Sequence, residues 1–476
     1  MRNFQIINVW ESPTIMSWLN KGASMLRMFI LLPLALIYFN EVEVASWLLF
    51  SSIIFFSDII NEQASLIISR MIAAAHGGAK DLEIISPDRK PEVIGQSNWD
   101  LIKHLYGSLG PLNTLLAAIG LAAASLMGIF AFIPLLDEYE NSQTIWNALI
   151  VFLLGQFICH SFRRYASMIR GCSRVALNSR WEALFSILST FLGSLILLFG
   201  GDILLLATVM QIVLLLRVFC QYKLMSCYIV PAGITLKAWK LDQKISLLVF
   251  NPLWKSIIRS FTMSGAAKLA IVLLSRNLDP ASLAKFLLSL RLLDIVDQFS
   301  SVPLTSHVPK FANLLAANKI SKLRKDFISA FKTSTLLEVL GILFILYFGA
   351  RMLSLFGPNA EIIMMQQFVI LSAFYLFWSN VKRSFVLTLI GNNIIAVKRL
   401  IFSLILSSFV LFAVIPVSPF WGYIAGAYLP MILMLNISPI AEGCELIEVP
   451  VADFLYKTLG LPILIFIFAL VAFVFI

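Results

Sequence analysis

Charge is scarce in this chain. Asp, Glu, Lys and Arg make up 13% of its 476 residues against 59% hydrophobic residues, and the mean hydropathy is +0.90. A water-soluble protein of this length must cover its surface with polar groups, so that balance excludes one. Histidine is rarer still: His76, His104, His160 and His307 are scattered, and no two have metal-ligand spacing. The five cysteines show neither metal nor disulfide spacing, so a zinc module and a disulfide framework are excluded and reduced thiols are expected. No glycine-rich loop runs into Lys-Ser or Lys-Thr, which removes a phosphate-binding loop and its nucleotide chemistry. Strict alternation of apolar and polar residues is missing as well, and with it a β-barrel. The first twenty residues include Glu11 and Asn20 and are too polar for a cleaved signal. Phe4, Ile6, Ile7, Val9 and Trp10 either lie on a membrane surface or belong to a frayed tail.

What the chain does have is a series of apolar blocks, at 22–38, 44–69, 101–135, 145–161, 184–199, 203–219, 257–275, 281–306, 333–349, 362–378, 400–415, 421–435 and 459–476. A helix of about 20 residues crosses about 30 Å of hydrocarbon. The backbone must satisfy its own hydrogen bonds at that depth, so the blocks predict about thirteen transmembrane helices and an all-α polytopic fold. The net charge of +10 does not point to nucleic acid, because the cations sit between blocks rather than along one face. Alternate connections carry them: Arg70, Lys80, Arg89, Lys90 and Lys103; Arg163, Arg164, Arg170, Arg174 and Arg180; Lys223, Lys237, Lys240 and Lys244. The same parity continues through Lys310, Lys319, Lys322, Arg324 and Lys325 to Lys382, Arg383, Lys398 and Arg399. The intervening turns are short, and two are acidic, with Glu41 and Glu43, then Asp137, Glu138 and Glu140. Positive charge marks the cytoplasmic side, which puts the N-terminus there and the C-terminus outside.

The chain also reads as doubled. Trp47-Leu48-Leu49 opens the second block and Phe286-Leu287-Leu288 the eighth, and at that register Asp58 meets Asp297; the blocks before them carry Gly22-Ala23 followed by Arg27 and Gly265-Ala266 followed by Lys268. The expected domains are a six-helix half over 1–220, a cytoplasmic linker over 221–250, a second six-helix half over 251–438, and an acidic loop with a last helix over 439–476. Parallel repeats of this kind are a transporter signature, with the site near the midplane.

Function is therefore sought among ionisable groups at membrane depth. Arg27 and Asp58 fall about 8 Å from the inner edge of the hydrocarbon, and Lys268 and Arg291 about 16 Å from it. Arg27, Lys268 and Arg291 are the candidates for a cationic cavity that binds an anion such as a pyrophosphate. Asp58, Glu62, Asp297 and Glu338 are the candidate coupling or charge-compensating acids. Plainer roles stand beside these. Arg291 and Asp294, spaced i, i+3, can neutralise each other, and Arg27 can simply satisfy Asp58. The i, i+4 acids Asp58 and Glu62 require a nearby cation or a raised pKa. Arg217 can snorkel to the interface, whereas Glu338 has no local partner. Trp47, Tyr375 and Trp378 either stack on sugar rings or form an interfacial belt.

The stretches Lys21-Gly22-Ala23-Ser24, Leu32-Pro33-Leu34, Ser46-Trp47-Leu48-Leu49 and Ser69-Arg70 followed by Ala73-Ala74-Ala75-His76-Gly77-Gly78 resemble the opening of Wzx-type polysaccharide flippases. These belong to the MOP superfamily, with lipid II flippases and multidrug exporters of the MATE type. The segment from Leu290-Arg291-Leu292-Leu293-Asp294 through Val302-Pro303, Val308-Pro309-Lys310 and the basic turn 318–325 is similar to the start of that family's second half. The resemblance implies two pseudo-symmetric six-helix bundles in a V, alternately open to each face of the bacterial inner membrane. A polyprenyl-pyrophosphate-linked oligosaccharide, an O-antigen-like or exopolysaccharide repeat unit, would cross with its head group in the cationic cavity and its tail among membrane lipids. A polysaccharide polymerase complex is the implied protein partner, and no cofactor is implied. The drive is an H⁺ or Na⁺ gradient or the membrane potential. The extra C-terminal helix departs from the twelve or fourteen spans commoner in the family.

Three rivals remain. A MATE-like multidrug or cation antiporter shares the fold but should present carboxylates to its cavity. A membrane polymerase or glycosyltransferase needs a sizeable external loop, and the longest connections carry cytoplasmic charge. A non-transporting scaffold does not account for charges on matched helices. The parity has a direct test: single cysteines at Glu41, Glu138 and Asn359 label from outside, and those at Arg174 and Lys322 do not. External labelling at Lys322 breaks the two-half arrangement.

Overall fold

The first helix, α1 (Pro13–Tyr38), begins where Ser12 accepts a hydrogen bond from the Ile15 amide and Pro13 fills the first helical position, where no donor is missed. At α2 (Glu41–His76) the Asn40 side chain accepts from the Glu43 amide and the Glu43 carboxylate accepts from the Asn40 amide, at 2.9 and 3.1 Å. Such a reciprocal cap stabilises a helix by about 1 kcal/mol. The acidic turn at 40–43 is therefore a capping box as well as a topology signal. The computed structural model describes residues 9–80, 96–137, 139–231, 242–305, 307–308, 311, 314, 319–356, 361–390, 397–429 and 438–475. Phe4, Ile6, Ile7, Arg89, Lys90, Lys237, Lys240, Lys310 and the labelling positions Glu138 and Asn359 lie outside them.

The chain divides into two compact units, Met1–Ile257 and Ile258–Ile476. In unit 1, α3 (Trp99–Leu135), α4 (Ser142–Ser161), the short α5 (Arg164–Gly171), α6 (Val175–Leu198) and α7 (Ile203–Leu224) follow α1 and α2. Helix α1 packs along α6, α2 along α3 and α5, and α4 between α3 and α7. Asn40 of the first acidic turn donates to the Tyr139 hydroxyl of the second at 2.8 Å, so both turns lie at one end of this unit, as their parity requires. At the other end α5 docks on α2. Gly171 sits so close to Ile72 that a Cβ there would come within 2.6 Å of that side chain. Arg164, 4% exposed, is held among the rings of Tyr106, Phe162 and Tyr165.

The expected linker is partly helical. Helix α7 runs on through a π-helical turn, Met225–Ile229, and α8 (Gln243–Ser260) starts at the Asp242 carboxylate, which accepts from the Lys244 amide at 2.7 Å. Ile245, Val249 and Leu253, at i, i+4 and i+8, give α8 an apolar stripe that packs on α2, α3 and α5. A second π-helical turn, Phe261–Gly265, leads into α9 (Ala266–Leu274). Unit 2 continues with α10 (Pro280–Ser300), α11 (Val302–Thr305), α12 (Ile320–Leu353), α13 (Met365–Ile390), α14 (Val397–Val414), α15 (Pro419–Ala427), α16 (Ser438–Leu446) and α17 (Val451–Phe475). The expected late loop around Cys444 is thus the helix α16, with Cys444 packed against Phe327 and Phe454. The sequence alone could not assign it, because nine residues with Pro439 and Gly443 are too short for a periodic signal.

Among the described residues, nine helices are long and apolar enough to cross a bilayer, against the thirteen blocks expected. Helix α10 fails that measure because Lys285, Arg291, Asp294 and Asp297 all lie in its 21 residues. The acids among them are met inside unit 2. Lys382 Nζ donates to Asp297 Oδ2 at 2.8 Å, and Arg383 donates to Asp297 Oδ1 at 3.1 Å, to Glu338 Oε2 at 2.6 Å and to Ser300 Oγ at 2.7 Å. Arg383 is 4% exposed and Glu338 fully buried. Lys382 and Arg383, expected in a basic connection, are instead interior residues of α13, and Glu338 finds in Arg383 the partner that its own helix lacks.

Two outcomes follow from this packing. Arg383→Ala leaves buried carboxylates without their cation and should destabilise the protein by about 3–5 kcal/mol. Adding Glu338→Gln should recover part of the loss, read as thermal unfolding of the detergent-solubilised protein; no recovery means that the pair does not carry the stability. Gly422 faces the Ile415 backbone, whose nitrogen would lie 2.5 Å from an added Cβ, whereas Gly22 has nothing within 4 Å. Gly422→Ala should therefore lower the unfolding midpoint, and Gly22→Ala should leave it unchanged or raise it.

Candidate functional site

The interior of unit 1 holds a cavity of about 440 Å³. Five long helices reach it with polar stripes at helical spacing. Helix α1 supplies Asn20, Ser24 and Arg27; α2 supplies Asp58 and Glu62; α4 supplies Gln156 and His160; α6 supplies Glu182, Ser186 and Ser189; α7 supplies Gln211, Arg217 and Gln221. The sets on α1, α2, α4 and α6 recur at three, four or seven residues, the signature of one helix face, and on α7 Arg217 and Gln221 are four apart. Arg163, in the turn after α4, and Arg170 of α5 complete the wall. Both belong to the connection whose basic residues were expected merely to mark the cytoplasmic side; docking of α5 turns them into the cavity.

The carboxylates are matched one by one. Asp58 Oδ1 lies 3.1 Å from His160 Nε2, at ion-pair distance but without hydrogen-bond alignment. Glu62 accepts from Arg163 Nη2 at 3.3 Å, and Glu182 accepts from Asn20 at 2.9 Å. The i, i+4 acids of α2 thus meet a histidine and an arginine spaced i, i+3 across the bundle, which relieves their repulsion. Arg163 Nη1 also lies 3.1 Å from His160 Nδ1, and Arg170 donates to Ser65 Oγ at 2.7 Å. Ser65 and Ser69 carry the stripe of Asp58 and Glu62 onward along α2. Arg27 donates to Ser186 at 3.0 Å.

Arg217 differs from the other cations. It lines the cavity and its Nε is buried, yet among the described residues it forms no hydrogen bond or ion pair. Arg27, Arg163, Arg170 and Arg217 therefore stand against Asp58, Glu62 and Glu182, leaving one guanidinium in excess with a neutral His160. An unmatched guanidinium on the cavity wall offers up to five donors to an incoming anion, and its planar fork suits phosphate oxygens.

The sequence-based candidates divide between the units. Arg27, Asp58 and Glu62 share the unit 1 cavity. Lys268, Arg291, Asp297 and Glu338 lie in unit 2. There Asp294 accepts from the Tyr375 hydroxyl at 2.6 Å and lies 3.9 Å from Lys268, and it attracts Arg291 of its own helix electrostatically without a hydrogen bond. Arg291 makes no hydrogen bond or ion pair among the described residues. Sequence reading missed His160, Arg163, Arg170 and Glu182 as site residues and treated Arg217 as a snorkelling cation. The recurring polar positions of α4, α6 and α7 were the available signal. No group of three His, Cys, Asp or Glu among the described residues could hold a metal ion.

No protein-family model matches the chain, and no curated protein sequence matches it. Solved structures do. A multidrug-resistance MATE transporter of the MOP superfamily, in its inward-facing conformation, superposes with a TM-score of 0.61 at 12% identity, over 91% of this chain and 99% of that one. The lipid II flippase MurJ, in an inward closed conformation, gives 0.58 at 12% identity, over 96% and 92%. A MOP-superfamily transporter from Pyrococcus furiosus, described as having a binding pocket of reversed polarity, gives 0.52 at 13% identity, over 92% and 98%. Coverage at both ends of each alignment is nearly complete, so the likeness extends through both units. The chain has the all-α fold of MOP-superfamily transporters.

Proposed function

We propose that this protein is a flippase that carries a polyprenyl-pyrophosphate-linked oligosaccharide from the cytoplasmic to the outer leaflet of the bacterial inner membrane by alternating access. The observation that carries the proposal is the wall of the unit 1 cavity, where every carboxylate already has a partner and Arg217 has none among the described residues. Such a wall attracts an anion and gives a cation no vacant carboxylate. A volume of about 440 Å³ lies within the range of small-molecule sites, about 300–1,000 Å³, so the cavity suits the charged linkage and its first sugar rather than a whole glycan. In unit 2, Lys268 and Arg291, the latter without a hydrogen bond or ion pair among the described residues, are further candidate cations for the anion. Asp58, Glu62, Asp297 and Glu338 are the acids through which an H⁺ or Na⁺ gradient or the membrane potential would reset the carrier. A polysaccharide polymerase complex is the natural recipient of the product.

A MATE-like cation antiporter is the second reading. Asp58, Glu62 and Glu182 in the same cavity favour it, since displacing their partners would expose three carboxylates.

The two part in reconstituted vesicles. Arg27→Ala and Arg217→Ala should each slow flipping of a polyprenyl-pyrophosphate-linked sugar by about tenfold or more, the loss of one charge-assisted contact, with protein abundance near normal. Arg27→Lys should substitute poorly if the contact is bidentate. Full flipping by a variant with Arg27, Lys268 and Arg291 all changed to Ala removes the electrostatic mechanism. Export of a small organic cation that depends on Asp58 and Glu62 but not on Arg217, with no flipping, establishes the antiporter instead.

A further inference from the structure

We infer that His160 is a proton-binding site whose occupancy is linked to anion binding in the unit 1 cavity, a step that rests on that cavity taking an anion. The geometry turns on which ring nitrogen holds the hydrogen. Arg163 Nη1 lies 3.1 Å from His160 Nδ1. A guanidinium only donates, so Nδ1 is the acceptor and cannot carry a hydrogen while the contact lasts. The ring's single hydrogen is then on Nε2, the nitrogen that lies 3.1 Å from Asp58 Oδ1 without hydrogen-bond alignment. A second proton has one place to go, Nδ1, and there it would oppose the N–H groups of Arg163. Protonation of His160 and its contact with Arg163 are mutually exclusive.

The same Arg163 pairs with Glu62 at 3.3 Å and lines the cavity. An anion entering the cavity competes with His160 and Glu62 for this guanidinium. Once Arg163 turns to the anion, Nδ1 is released and the ring can take a proton under the attraction of Asp58. The imidazolium in turn adds positive charge to the wall beside the anion. Proton and anion therefore strengthen each other's binding, and the coupling is reciprocal by linkage.

Every wall bears on this balance. From α2, Asp58 and Glu62 favour the charged ring. Arg163 of the following turn, Arg170 of α5, Arg217 of α7 and Arg27 of α1 oppose it; Glu182 of α6 favours it, and Cys159 is its neighbour on α4. Helix α3 also packs on α4 but lends no residue to the cavity. An anion that draws the arginines to itself relieves the opposing set and leaves the favouring one. His160 is 3% exposed but opens on the cavity, so the proton comes from the same space as the ligand. Histidine is the side chain that ordinarily changes charge between about pH 5 and 8. One proton taken up offsets one of the anion's charges as the loaded site changes face.

The test is calorimetric titration of the full chain in nanodiscs with inorganic pyrophosphate, at pH 6 and pH 8, in two buffers of different ionisation enthalpy to count protons. Pyrophosphate's own titration is common to all proteins and cancels between variants. The unaltered protein should take up more protons per pyrophosphate than His160→Gln, and its preference for pH 6 over pH 8 should exceed the variant's by about fivefold or more. Arg163→Gln gives an independent check: without the guanidinium that occupies Nδ1, the excess proton uptake should fall even though His160 is present. Equal proton counts in the unaltered protein and His160→Gln, or an undiminished excess in Arg163→Gln, overturn the linkage and leave the flippase reading standing. Absence of pyrophosphate binding by the unaltered protein at either pH overturns both. Should His160→Gln not fold, the proton count of the unaltered protein against Arg163→Gln decides alone.

Discussion

An ion held inside a bilayer-spanning bundle has lost most of its hydration, at a cost of several kcal/mol, and persists only where an opposite charge or a set of hydrogen bonds replaces the water. Both units meet this constraint with the same device. In unit 1 the acids of α2, Asp58 and Glu62, face His160 and Arg163 at the end of α4. In unit 2 Asp297 of α10 faces Lys382 and Arg383 of α13, and Glu338 of α12 joins them. Each time an acid on the unit's second long helix meets a base on or just beyond its fourth. Asp58 and Asp297, which the sequence register aligns, each face a base across their own bundle, a histidine in unit 1 and a lysine and an arginine in unit 2.

The two versions are not equivalent. The unit 2 pairs are packed, with Arg383 and Glu338 almost without solvent exposure, and they bind helices together. The unit 1 pairs stand on the wall of a cavity, where their partners can be drawn away. Docking of α5 makes the difference. Its close fit of Gly171 on Ile72 and its hydrogen bond from Arg170 to Ser65 bring into the bundle a basic segment that would otherwise cap it. The cavity then holds more guanidinium than carboxylate, and Arg217 on α7 has no hydrogen-bond or ion-pair partner among the described residues.

Fold likeness leaves the cargo open, because a lipid II flippase and a multidrug transporter superpose about equally well. What separates a carrier of anions from a carrier of cations is the sign of charge left over after the wall has satisfied itself. That is a local property of a few side chains on α1, α2, α4, α5, α6 and α7, and it is why the functional reading rests on Arg217 and the partners of Asp58, Glu62 and Glu182.

Much of this was legible in the residues. Blocks of about twenty apolar positions determined an all-α membrane fold, because hydrocarbon forces the backbone to bond within its own helix. The rarity of charge at depth singled out Arg27, Asp58, Glu62, Asp297 and Glu338. Helical spacing placed Asp58 and Glu62 on one face with a need for a cation. It could not say which one, because partners such as His160 and Arg163 lie about a hundred residues away and are chosen by how α2 packs against α4 and α5. For the same reason Lys382 and Arg383 looked like loop cations and Glu338 like an acid without a partner. Sequence by itself determined which charges must be compensated, since that depends on depth and solvent alone. Only the tertiary structure decided what compensates them and which one is left over, since that depends on packing between helices distant in the chain.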